Sequence, residues 1–585
     1  MGTGFSIDTP LRVAKYGISS VISLVDDVLI EQVRKFHCHK AGEPYEEIDG
    51  KQEDARAKRI TAYLNLVDRL VKRQVDDLRA SPFEPGSEIT RYFEMLPRSS
   101  RSRQTYDEML ACMDPDRRAE LQEKLRKLAV PGSIDVNIMT KLDCARYRAG
   151  KKLSREFNDG MAALRGYAKS TLQSAIVFSA GMNQQLYRYA TQFKDFFCDE
   201  TGLLKKKIIL KVTDHRSAFV QGKLFARMGL WVSEFRVESG LNCGGHTFPG
   251  KGLLLGPILE ELRKKKEELV DKLHEIYNKA LKKLNMTPVP EPHEMLVTVQ
   301  GGIGNATEDR MLREHYRADG TGWATPFMLT PEVTNLDDEH RRKLCLANDK
   351  DVYLSDSSPV GVPFWNLRSS ASEQVRRERI ESGRPGSPCP KSYLNFTDEF
   401  GEPPICRASR RYQKQKLEQL ARANLSYEER AAAEESVLAK SCICHDLGGN
   451  VTRPTGIDPD ATSAVCPGPN IAYFSKTTTL EEMIDHIYGR VSLLADSARP
   501  HMFIQEMSLY VEFLNKEIER VRLKLSCCTV DHLAELRDNL LESVAYYTSV
   551  VKQVAADSQD RFLEDLRILH EQIEAVSLAP QPATA

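Results

Sequence analysis

The sequence predicts an α/β fold, a parallel sheet built from βα units, followed by a loop-rich region and then an all-helical one. Three observations predict it. Over roughly the first 330 residues, short apolar runs alternate with helical patterns, as strands joined by crossover helices do. Several of those runs end in Gly, Ser or Asn, where a strand gives way to a functional loop. From residue 476 to about 576 the apolar spacing is that of packed helices.

Taken in order, the candidate strands are 18–24, 134–139, 174–178, 207–212, 231–237 and 296–300. Between the first two lies a long insertion, about 27–128, rich in charged helix formers with apolar residues at helical spacing. A second insertion, about 257–285, is another charged helix closed by TPVPEP, and its KKK run reads as a solvated face. Residues 336–475 are rich in Pro, Gly, Ser and Cys, and SDSSPVGVPFWNL within them reads as a rigid loop, either a substrate-facing lid or a connector. The helices of 476–580 form a bundle or cap, and the final PQPATA reads as disordered. No internal repeat is visible.

Composition excludes several classes. In 585 residues, 82 basic side chains nearly balance 83 acidic ones, so no global field would draw a polyanion or an acidic membrane, and no nucleic-acid partner is expected. There is no apolar run of ~18 residues and no basic-then-apolar start, so neither a membrane span nor a signal peptide is expected. Thirteen cysteines in this length are too sparse for a secreted disulfide scaffold. The chain reads as cytoplasmic, its cysteines thiols or metal ligands.

Two motifs carry chemistry. In VQGGIGNATEDRMLREHYRADGTGW an apolar strand runs into Gly301, Gly302 and Gly304, and Gly320, Thr321 and Gly322 follow one βα unit later. Glycines at a strand end let backbone amides approach a phosphate, and the following helix N-terminus favours an anion. Barrels of βα units commonly hold a phosphate between the loops after their last two strands. In WVSEFRVESGLNCGGHTF a strand ends at Glu238-Ser239-Gly240, and Gly245 precedes His246. An imidazole at that end of a strand is placed for proton transfer.

The order of these segments resembles the nitronate monooxygenase (2-nitropropane dioxygenase-like) family, including the flavin enoyl reductases that act in trans on polyunsaturated fatty acid and polyketide synthases. That family's E-A-G-G-H-like, leucine-rich, A-G-G-I-G and G-T segments correspond to ESGLNCGGH, LLLGPI, QGGIG and DGTGW. The resemblance covers about residues 1–335 and implies a (β/α)8 TIM barrel with helical insertions, an FMN cofactor, and a C-terminal loop-rich plus all-helical extension. It implies that Gly301, Gly302, Gly304, Gly320, Thr321 and Gly322 hold the FMN phosphate. Asn137 in DVNI, Lys211 in IILKV, and Glu238 and Gly245 would contact the flavin, as would Gly2 and Gly4 of the opening GTGFS. His246 and Lys211 would be catalytic, and Trp323 either covers the flavin or packs. Three departures stand out: Leu241-Asn242-Cys243 are extra, the 27–128 insertion is long, and the chain opens on GTGFS without the strand expected before that loop.

Five of the thirteen cysteines fall between residues 389 and 466 of the loop-rich region. Cys389, Cys406, Cys442 and Cys444, with Cys466 in reserve, are candidate ligands of an iron–sulfur cluster such as [4Fe-4S]; structural zinc and plain thiols are the other readings. Cys527-Cys528 read as packing. The functional expectation is an FMN-dependent oxidoreductase acting on a small or acyl substrate. The alternatives are an iron–sulfur/flavin electron-transfer protein with a redox partner, and a non-catalytic barrel scaffold with a helical interaction region.

Overall fold

The computed structural model describes residues 4–140, 143–148, 150–179, 181–245, 252–496, 498–526 and 528–578. The terminal PQPATA, Gly2, His246 and Cys527 lie outside them. Seven strands form one curled sheet in chain order: β1 (Ser20–Ser23), β2 (Ile134–Ile138), β3 (Ala175–Phe178), β4 (Lys207–Val212), β5 (Val232–Glu238), β6 (Leu296–Gln300) and β7 (Gly320–Gly322). Every neighbouring pair is parallel. All six expected runs are strands, and β7 is added from the Gly-Thr-Gly motif.

Of the expected (β/α)8 barrel, the described residues show one sheet of seven strands with β1 and β7 as its edges. The residues before β1 and after β7 bond to each other. The Asn335 N–H donates to the Phe5 carbonyl at 2.8 Å. The Thr9 hydroxyl donates to the Val333 carbonyl at 2.8 Å.

Parallel strands covered on both faces are apolar along their length, and β3 (AIVF) and β4 (KIILKV) fit this. Side chains alternate between faces. Ile176, Phe178, Ile208 and Leu210 enter the main core on one side. Val21, Ala175, Val177 and Ile209 form a small cluster on the other, concave side. Two residues further along that concave face the pattern turns polar. Ser23 is paired with Asn137, Lys211 with Arg236 and Glu238 with Gln300. A row of polar groups therefore lies at the C-terminal ends of the strands, where open α/β sheets bind ligands.

The first insertion holds five helices joined by loops, from Asp27–Ala41 to Pro115–Leu128. Asp26 caps its first helix by accepting from the Leu29 N–H at 2.9 Å, and Gly42 stops it in the left-handed region at φ 67°. The long helix Ala55–Ala80 buries Ile60, Tyr63, Leu64, Val67, Val71, Val75 and Leu78, a stripe at three- and four-residue spacing. Helix Leu255–Lys283 does the same with Leu255, Leu259, Leu262, Leu269, Leu273 and Leu281. Its KKK run points outward and is ion-paired: Lys264 with Glu260 at 3.0 Å, Lys265 with Glu261 at 2.7 Å and Lys266 with Asp319 at 2.6 Å.

Residues 336–475 hold an antiparallel hairpin, β8 (Val352–Ser355) and β9 (Phe364–Leu367), where the sequence read as a loop. Helices Met502–Arg522, Val530–Val554 and Gln559–Glu574 complete the C-terminal region. One cluster of buried residues runs from Phe5 to Val576 and draws on all three sequence regions. Among the described residues, no helix is long and apolar enough to cross a membrane.

Glu506 joins helix Met502–Arg522 to the end of β5. Its carboxylate accepts from the Leu255 N–H at 2.8 Å, the Ser239 hydroxyl and the Gly240 backbone. Burial pushes this carboxyl from 4.5 up to about 7, despite those hydrogen bonds. The folded state thus holds the proton more tightly than the unfolded chain. The stability it contributes is complete below pH 4.5 and is lost as pH rises to about 7. Glu506→Gln should flatten that limb by about 3 kcal/mol at most, read from urea unfolding at pH 5 and pH 8. An unchanged slope would show that Glu506 does not titrate there.

Candidate functional site

A cavity of about 570 Å³ opens over the C-terminal ends of β2 to β5, within the usual range for small-molecule sites. Its floor comes from the strands: Asn137, Ser179, Lys211 and Glu238. Met139 and Val25 stand beside them, and Asn242 to Gly245 supply one wall. The roof is Ser358 to Val362, Phe364, Leu394, Phe396 and part of helix Ile443–Thr452. The SDSSPVGVPFWNL segment therefore covers the cavity. The Trp365 N–H donates to the Gly244 carbonyl at 3.0 Å, and its indole donates to the Gly240 carbonyl at 2.9 Å, fixing the roof to the wall.

The floor carries charge. Lys211 Nζ lies 2.7 Å from Glu238 Oε1, with both side chains largely buried. Asn242 Nδ2 donates to the same oxygen at 3.2 Å. Asn137 is 4% exposed, and among the described residues its side-chain oxygen has no hydrogen-bond partner. A buried amide oxygen left open is costly, so Asn137 is a group waiting for a donor. Its two amide atoms can exchange places by rotation, so it offers either polarity to a ligand. Arg407 and Asp398 stand at the mouth.

Asn137, Lys211, Glu238 and Gly245 are thus brought together, as the motifs imply. The expected acid/base, His246, lies outside the described residues. Sequence reasoning missed Met139, Ser179, Phe364, Phe396 and Arg407. Met139 and Ser179 lie at the ends of expected strands and Phe364 in the segment read as a lid or a connector, so these were within reach; Phe396 and Arg407 come from segments without a motif.

The glycine motifs are placed differently from the expectation. Gly301, Gly302, Gly304, Gly320, Thr321 and Gly322 do not line the cavity. Gly301 and Gly302 have φ of 93° and 81°. A Cβ on Gly301 would stand 2.7 Å from Asn242 N, and one on Gly302 2.7 Å from Leu241 Cδ1. Loop packing accounts for these glycines without a ligand. The Gly304 N–H donates to Glu308 Oε2 at 2.7 Å. Arg499 binds Glu308 at 2.7 Å, the Gly302 carbonyl at 2.6 Å and Asn470 at 3.1 Å. Asn470 in turn donates to the Ile303 carbonyl at 3.0 Å. Burial alone would push the Glu308 carboxyl up, but Arg499 and His501 hold it below its ordinary value. Where a phosphate was expected, this loop is engaged by a carboxylate and a guanidinium of the chain.

Thr321 hydrogen-bonds to Asp309 on the helix between β6 and β7. Gly4 packs against the Leu447 carbonyl. Trp323 stands edge-on to His486 at 6.0 Å, and its indole nitrogen has no partner among the described residues.

Of the thiols, Cys389, Cys406, Cys442 and Cys444 gather in one small cluster with Leu394 and Ala408. Bridges between Ser387 and Ser409 and between Thr397 and Ile405 lay the loop of Cys389 beside that of Cys406, and Cys442 and Cys444 share one helix start. The Cys406 thiol, with Ser392 and His445, holds the Cys389 thiol below its ordinary value against its burial. Cys466, the reserve ligand, stands apart on the cavity wall beside Cys243. Among the described residues, no set of three His, Cys, Asp or Glu side chains is disposed to hold a metal ion.

No protein-family model and no curated protein matches the chain. Among solved structures it is similar to the enoyl reductase domain of MlnA from the macrolactin biosynthesis cluster of Bacillus amyloliquefaciens. The identity is 14% and the TM-score 0.33, over 69% of this chain and 89% of that one. A likeness this distant decides neither fold nor activity.

Arg499 is 3% exposed and Glu308 2% by side chain. Arg499→Met leaves a buried carboxylate without its cation and should cost about 3–5 kcal/mol, measured by chemical unfolding. Adding Glu308→Gln should restore more than half of that loss. A single-variant loss below about 1 kcal/mol, the scale of an exposed pair, would mean that water reaches the pair.

Proposed function

We propose that the protein is an FMN-dependent oxidoreductase of the nitronate monooxygenase or enoyl reductase type, acting on a small or acyl substrate, and that the seven-stranded sheet is the working part of a (β/α)8 barrel. The observation that carries this reading is the cavity floor. Asn137, Lys211 and Glu238 stand together at the C-terminal ends of parallel strands under a mainly apolar roof. Such a pocket suits a planar ring edged with amide and carbonyl groups, and the open Asn137 amide and the Lys211 ammonium match that edge. The fit is to the ring end of the cofactor; the GGIG loop, engaged by Glu308 and Arg499, is not presented to the cavity.

Bound FMN supplies hydride or one-electron chemistry, and the chain's own groups place and polarise. Lys211 provides a fixed positive charge on the floor, and Glu238 and Asn242 hold it in position. The roof from Ser358 to Phe364 keeps bulk water from that charge, which strengthens its action on developing negative charge. His246 remains the proposed acid/base by its place in the motif. The engaged glycine loop favours a second reading, a barrel that keeps the pocket as a non-catalytic scaffold.

The purified protein should release FMN on denaturation, and Lys211→Met should keep the flavin while lowering turnover by roughly 10²–10³. FAD in place of FMN would overturn the assignment of the cofactor. No flavin after reconstitution would favour the scaffold.

A further inference from the structure

Above the cavity lie four thiols that the proposed chemistry does not use. They come from three segments: Cys389 and Cys406 from two neighbouring loops, and Cys442 and Cys444 from the start of helix Ile443–Thr452. Their segments are tied together. Ser387 pairs with Ser409 and Thr397 with Ile405 as bridges, which lays the loop of Cys389 beside that of Cys406.

Their arrangement argues against a single-ion site. Four ligands around one ion would stand at comparable distances from a common point, and no such set of three is present among the described residues. The thiols instead fall into two pairs: Cys389 and Cys406 lie on loops joined by two bridges, and Cys442 and Cys444 stand two residues apart at one helix start. None is in a disulfide. All four thiols belong to one small cluster with Leu394 and Ala408.

Burial gives the group a direction. Cys389 is half-buried and faces solvent in part, whereas Cys406 is 3% exposed and Cys442 5%. Cys444 lines the cavity. The thiols therefore run from the surface, through the protein, to the cavity wall.

We propose that these thiols are two dithiol–disulfide couples, an outer Cys389/Cys406 and an inner Cys442/Cys444, which exchange electron pairs between an external disulfide and the cavity wall. In the first step the Cys389 sulfur attacks an external disulfide, forms a mixed disulfide and releases one thiolate. Cys406 then attacks the Cys389 sulfur and releases the second, leaving the outer disulfide. Cys442 next attacks Cys406 in that disulfide, and Cys389 departs as thiolate. Cys444 attacks Cys442 and frees Cys406. The external disulfide has gained two electrons, the protons of the inner dithiol end on the two released thiols, and the outer dithiol is restored. An external dithiol runs the sequence in reverse. The relay stands whether or not a flavin occupies the cavity.

The test uses the full chain in buffers of oxidised and reduced glutathione, quenched by alkylation, with disulfides mapped by mass spectrometry. Cys389–Cys406 and Cys442–Cys444 should be the disulfides formed. Cys406→Ser should trap glutathione on Cys389, at about tenfold the occupancy of the partly exposed Cys345. Cys444→Ser should make the outer disulfide accumulate. The protein without flavin gives the same readout, so failure of flavin binding and failure of the relay are separate results. Four thiols that stay reduced, or glutathione spread evenly over Cys112, Cys345 and Cys389, would overturn the relay. So would stoichiometric iron with acid-labile sulfide, or zinc, in the purified protein, since the four sulfurs would then be ligands.

Discussion

Arg499 reaches from the connection between two C-terminal helices into the loop after β6, and much of the molecule is arranged around where it ends. Its guanidinium serves three acceptors: the Gly302 carbonyl, Asn470 and Glu308. Glu308 accepts in turn from the Gly304 and Met502 N–H groups, so one carboxylate ties the strand-end loop to the start of helix Met502–Arg522. Burying two charges costs several kcal/mol each unless every donor and acceptor is used. Here nearly all are. The pair acts less as a source of stability than as a constraint on register: the loop and the helix can meet in one way that leaves no charge bare.

That constraint decides what the sheet can do. The C-terminal ends of parallel strands leave polar groups facing a concavity, and something must cover them. The region after residue 336 does so, and one core joins it to the sheet. Glu506 gives a second tie, from the same helix to the end of β5. A cover held at two places by buried carboxyls shields the Lys211–Glu238 pair from water, and in that setting a fixed charge acts more strongly than at a surface.

How much of this was legible in the sequence depended on whether a signal was local. The strands of β1 to β6 are short apolar runs between helical patterns, and all six could be read. β7 is three residues, two of them glycine, and carries no apolar signal of its own. The β8–β9 hairpin was hidden because Pro359, Gly361 and Pro363 crowd its turn and mask the strands beside them. Asn137, Lys211 and Glu238 were found because motif order placed them at strand ends. Gly301 and Gly302 were read as glycines that let the backbone approach a phosphate, and both stand in the left-handed region. What a sequence could not say is which atoms approach them. A left-handed glycine beside a ligand and one beneath Asn242 look alike until the second loop is in place.

The thiols make the same point for long-range pairing. Spacing along the chain placed five cysteines in one loop-rich region, and four of them do meet. Their partition into pairs depends on two bridges between loops and on the start of one helix, none of which leaves a periodic mark. Cys466, next along the chain, goes instead to the cavity wall beside Cys243, a residue of the three-residue insertion in the β5 loop. In the sequence that insertion stands out only as a departure from the family's segment. In the folded chain it supplies the wall: Asn242 holds Glu238, Cys243 stands by Cys466, and the Gly244 carbonyl anchors Trp365 of the roof. A departure from a motif, read alone, suggests loss; placed in the fold, it joins the floor of the cavity to its roof.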